Sequence, residues 1–93
     1  MSEDDPVLGK LREQVAAADL AILAAVNERI RLVTEIKLHK GARGLTFADP
    51  TREEWLLDYL AGANAGPLSP EGLRELFGLI LDLTKRDVPG GEI

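Results

Sequence analysis

From Pro6 to about Lys40 the chain keeps one hydrophobic rhythm without a break. Apolar residues recur at Leu8, Leu11, Val15, Ala18, Ile22, Val26, Leu32 or Val33, and Ile36, the spacing of a single helix face. Alanine-rich stretches at 15–18 and 21–25 favour helix and allow a neighbouring helix to approach closely. Asp4 or Asp5 can cap the start, Pro6 suits a first turn where its missing N–H costs nothing, and Gly41 and Gly44 supply the stop. A helix of about 33 residues is roughly 50 Å long, beyond the diameter of a compact domain of this size. Part of it must pack on something outside its own chain. The simplest partner is a second copy, which gives an intertwined homodimer.

The remainder reads as two shorter helices. Residues 41–48 form a connector, and Asp49-Pro50-Thr51-Arg52-Glu53 opens a second helix with Asp49 or Thr51 as cap. Trp55, Leu56, Tyr59 and Leu60 give it an apolar face, and the run from Gly62 to Pro67 ends it. Ser69-Pro70-Glu71 opens a third helix carrying Leu73, Leu76, Phe77, Ile80, Leu81 and Leu83, which stops before Pro89. No alternating pattern is long enough for a sheet. The expectation is one all-α domain over residues 6–88, with a disordered tail at 89–93.

Composition narrows the chemistry. The 93 residues contain no cysteine and one histidine, so disulfides and thiolate sites are excluded and a structural zinc site is not expected. A net charge of -5 argues against nucleic acid as a partner. Basic residues nonetheless gather between Arg29 and Arg43, a distribution suited to a small anion, although a solvated helix face would read the same way. The acidic start from Met1 to Asp5 carries no secretory signal, and no stretch approaches a membrane span. The chain is expected to be soluble and cytoplasmic.

Two cations on the long helix stand out. Arg29 and Lys40 are eleven residues apart, which returns a side chain to within roughly 20° of its start, about 16 Å along the axis. Both can lean toward one small ligand. Arg12 lies seventeen residues before Arg29, roughly 25 Å away on the same rod, and would have to serve a site on a partner subunit. Taken singly, each reads first as a surface charge beside Glu13, Glu28 or Glu35. On the second helix Asp49, Arg52 and Glu53 share a face, a plausible ligand edge or simply a capped first turn with a local ion pair. His39 reads as a helix-end residue, and Trp55 and Tyr59 as core or rim packing. There is no nucleophile–base pair.

In this order the pieces resemble the all-helical, type II chorismate mutases, from about Val7 to Val88. The resemblance rests on Leu11-Arg12-Glu13 with Asp19, Asn27-Glu28-Arg29, Ile36-Lys37-Leu38-His39-Lys40, then Asp49-Pro50-Thr51-Arg52-Glu53-Glu54, and Leu76-Phe77 leading to Thr84. It implies an intertwined dimer of three-helix chains whose active sites each borrow an arginine from the other subunit. It further implies the Claisen rearrangement of chorismate, a small dicarboxylate, to prephenate in the shikimate pathway, without cofactor or metal. Arg12 of the partner and Arg29 would then clamp the substrate carboxylates, and Lys40 would stand beside the breaking ether bond. Glu53, with the backbone near Asp49, would accept from the ring hydroxyl. Arg52 would line the same edge, and Thr84 would stand near a carboxylate.

One position departs from the pattern. Four residues after Thr84, where many members carry Gln or Glu against the ether oxygen, stands Val88. Either Lys40 holds that oxygen unaided or Lys85 or Arg86 substitutes. The same resemblance leaves aminodeoxychorismate mutase and isochorismate-pyruvate lyase activities open, as well as activation by a partner enzyme of the shikimate pathway. A helical dimerisation module without catalysis is the alternative of a different kind.

Overall fold

The computed structural model describes residues 5–89 and places three helices in chain order: α1 (Pro6–Ala42), α2 (Pro50–Ala63) and α3 (Pro70–Asp87). No strand occurs among the described residues, and the all-α expectation holds. Each helix starts by the same device, a side-chain acceptor followed by proline. Asp5 Oδ1 accepts from the N–H groups of Val7 (2.9 Å) and Leu8 (3.1 Å). Asp49 Oδ1 accepts from Arg52 N (3.0 Å), and Ser69 Oγ from Gly72 N (2.9 Å). The acceptor satisfies a donor with no partner within the helix, and proline occupies a place that needs no N–H. The alternative cap Asp4 lies outside the described residues.

The stop of α1 is built with equal care, because Lys40 sits in it. Leu45 N donates to Lys40 O (2.7 Å) and Gly44 N to Gly41 O (3.1 Å), the paired closing bonds of a Schellman motif. That motif needs a left-handed residue, and Gly44 supplies it with φ 69°. The helix runs two residues past Lys40, further than the sequence pattern indicates, since Gly41 is carried inside the last turn. At the other end of the chain, Pro89 accepts from Lys37 Nζ at 3.4 Å. The rest of the expected tail, residues 90–93, lies outside the described residues.

α3 is the hub. It packs on α1 and on α2, which do not pack on each other, and it carries the buried Leu73, Leu81 and Thr84, with Val88 as its cap. No residue of α1 is buried. Every residue from Leu11 to Ala25 is exposed, apolar Leu11, Val15, Leu20, Ile22 and Leu23 among them. The molecule measures 59 × 27 × 16 Å with a radius of gyration of 17.4 Å, where a compact chain of this length would have about 12 Å. None of the helices is long and apolar enough to cross a membrane.

Candidate active site

A cavity of about 260 Å³ opens where the C-terminal half of α1, the start of α2 and the end of α3 converge. Its charged lining consists of Arg29 and Lys40 from α1, Asp49 and Arg52 at the start of α2, Glu53 one residue on, and Lys85 from α3. Four cations thus face two carboxylates inside a protein of net charge -5. Such a concentration of positive charge in an apolar-walled hollow is arranged for an anion.

Arg29 is the best-fixed of the four. Its NH1 donates to Thr84 Oγ1 at 2.8 Å, across 55 residues of sequence. Thr84 is 4% exposed, and its hydroxyl donates in turn to Ile80 O at 2.7 Å. That hydroxyl therefore has its hydrogen on α3's own backbone and a lone pair on Arg29. Burial pushes the Arg29 pKa down, while the Glu53 carboxylate opposes the shift. A guanidinium remains charged regardless.

Lys40 Nζ donates to Phe47 O at 3.3 Å, bending the connector back over the end of α1. One of its three N–H donors is thereby used. Lys37, one turn earlier, lies 5.8 Å from the centre of the Phe47 ring and steadies the same loop. Arg52 is held by stacking: its guanidinium carbon lies 3.9 Å from the centre of the Trp55 ring, which itself stacks on Tyr59 at 5.0 Å and 6°. Trp55 and Tyr59 are exposed and form a brace for Arg52. Glu53 binds Lys85 Nζ through both oxygens, at 3.1 and 2.9 Å.

Six of the residues singled out in the sequence, Arg29, Lys40, Asp49, Arg52, Glu53 and Thr84, thus line one cavity. Two do not. Arg12 lies outside it, far back on the exposed part of α1. Val88 is 1% exposed and faces the interior as the α3 cap, its N–H bonded to Thr84 O at 3.0 Å. Val88 caps the helix with a helical φ of -68° and keeps the bond to Thr84 O, so it still follows the helical count onto the face of Leu81 and Thr84, but its side chain is buried there and does not line the cavity. Of the two substitutes considered from the sequence, Lys85 lines the cavity, whereas Arg86 is exposed and pairs with neighbouring Asp87 at 2.9 Å. Phe47 and Ala48 were not legible as lining residues. Nothing in their spacing marks a connector that folds back over a helix end.

Residues 11–87 match the family described as chorismate mutase type II. The chain belongs to that family. A bifunctional chorismate mutase/prephenate dehydratase from Stutzerimonas stutzeri is 35% identical over 86 residues. The match takes in 87% of this chain and 23% of that protein, so the chain spans about a quarter of its relative's length. Among solved structures, chorismate mutase (form I) from Thermus thermophilus superposes with a TM-score of 0.80 at 39% identity, over 83% of this chain and 96% of that one. Form II of the same protein gives 0.77 at 40% identity, over 87% and 97%. This type II chorismate mutase family member therefore shares its fold with those structures over most of its length, and the cavity lies within the residues that match the family.

Proposed function

We propose that the chain catalyses the rearrangement of chorismate to prephenate. The observation that carries the proposal is the convergence of Arg29, Lys40, Arg52 and Glu53 on one cavity in which cations outnumber carboxylates. In this reaction the ether C–O bond breaks as a C–C bond forms within the same molecule. No proton, electron pair or group passes to the protein. Catalysis then reduces to holding the compact conformer and stabilising charge where it develops.

Arg29, already oriented by Thr84, takes one substrate carboxylate with its planar fork. Lys40 places its ammonium at the ether oxygen, where negative charge grows as the bond lengthens, so it favours the transition state over the substrate. Glu53 accepts from the ring hydroxyl, and Arg52 adds positive potential at the same edge. Arg12 completes the site from a second subunit, clamping the other carboxylate. The exposed apolar run of α1 from Leu11 to Leu23 supports that dimer, since such a surface on one chain calls for a partner. With Val88 supplying no donor, the proposal extends to activation by a partner enzyme of the shikimate pathway, read as a rise in turnover when that enzyme is titrated in.

The test is incubation with chorismate, following loss of its diene absorbance, with Lys40→Ala as the control. Turnover by the wild type and a loss of about 10²–10³-fold in kcat for Lys40→Ala, with helicity retained, is the expected result. Turnover of isochorismate or aminodeoxychorismate with none of chorismate overturns it.

A further inference from the structure

The end of the cavity that meets Glu53 differs from a bare carboxylate. Glu53 reaches across from α2 to α3, where both of its oxygens lie within hydrogen-bonding distance of Lys85 Nζ, at 3.1 and 2.9 Å. The two side chains are 31% and 43% exposed, so water only partly screens the pair. α3 has nothing else to offer there. The Thr84 hydroxyl is taken by Ile80 O and Arg29, and Val88 is buried and apolar. Lys85 is the one α3 side chain at the cavity whose donors are not exhausted, since an ammonium has three.

A carboxylate and an ammonium side by side present both an acceptor and a donor. A hydroxyl, which is donor and acceptor at once, can satisfy both. A ring amine, protonated near neutral pH like other aliphatic amines, brings a second positive charge to a carboxylate that already holds one, and it cannot accept from Lys85. We propose that Lys85 is a specificity residue: paired with Glu53, it makes the cavity select a ring hydroxyl over a ring ammonium. This rests on the reading of Glu53 as the group that meets the substituted ring carbon. Selection of this kind works by an introduced repulsion as much as by a gained contact.

The experiment measures calorimetric affinity, and turnover where it occurs, for chorismate and 4-amino-4-deoxychorismate on the wild type, Lys85→Met and Lys85→Arg. Removing the ammonium frees Glu53 for a cation. The expected result is that Lys85→Met shifts the hydroxyl-over-amine ratio toward the amine by about tenfold or more, through tighter binding of the amine. Lys85→Arg keeps the ratio within about twofold of wild type. Damage to the site would weaken both ligands and cannot strengthen one. An unchanged ratio in Lys85→Met overturns the proposal, as does a wild type that binds the amine as well as the hydroxyl or binds neither. Wild-type turnover of chorismate tests the proposed function alone. Its absence would sink that reading, while the affinity ratio would still decide the role of Lys85.

Discussion

Thr84 illustrates how little of a residue's role its identity carries. A threonine on a helix either points its hydroxyl outward to a ligand or bonds the carbonyl one turn back, and here it does the second while accepting from Arg29. Its work is to fix the guanidinium. Thr84→Val keeps the shape and deletes the acceptor, so kcat/KM is expected to fall about tenfold, in line with one lost hydrogen bond to a charged group. Thr84→Ser keeps the oxygen and should recover most of that loss in a steady-state chorismate assay. The pairing of Arg29 with Lys40 was legible from their eleven-residue spacing, because a helix turns every such interval into a shared face. The Lys85–Glu53 pair was not, since it depends on how α2 and α3 meet. Nor was the burial of Val88, because the helical count puts it on the face of Leu81 and Thr84 without saying whether its side chain meets the cavity or the interior.

The elements owe their limits to a few side chains and one glycine. All three starts were legible because an acceptor followed by proline is a local signal, complete within four residues. The end of α1 was legible only approximately. Gly41 and Gly44 are both plausible stops, and the choice falls on Gly44 because its backbone takes the left-handed conformation that lets Leu45 N reach Lys40 O. Gly44→Ala would impose that conformation on a residue with a Cβ, costing about 1–2 kcal/mol. A lower denaturant midpoint at fixed protein concentration would register the cost. Asp49→Ala removes the α2 cap and should cost about 1 kcal/mol. Because Arg52 and Glu53 stand in that first turn, the same variant is expected to raise KM in the chorismate assay.

At the scale of the molecule, surface area is the informative quantity. The chain exposes 7091 Å² at 10.1 kDa, where a compact monomer of that mass would expose about 5,300 Å². The excess is of the size that obligate dimers remove. That α1 would outrun the two helices beside it was legible from its length alone, because a rod of 37 residues cannot be wrapped by helices of 14 and 18. Under the proposed pairing, Arg12 of one chain serves the cavity of the other, and this arrangement can be tested by mixing inactive variants. Arg12→Ala and Lys40→Ala, refolded together in equal amounts, should regain about a quarter of wild-type activity, since half the dimers are mixed and each mixed dimer holds one intact site. No recovery would show that both residues act within one chain. Val15→Asp, placed on the exposed run, is expected to give a monomer by sedimentation.

The bare stretch of α1 from Leu11 to Ala25 has a further consequence under that pairing. Folding, assembly and completion of the site become one bimolecular event, so the catalyst answers to its own abundance. Dilution should lower turnover per chain as well as total turnover, with the midpoint at the dissociation constant of the pair. A cell making little of the protein would then hold mostly unfinished halves, and output would climb with the square of chain concentration before becoming proportional to it. Initial rates over a thousandfold dilution series would trace that curve, and a flat specific activity would contradict it.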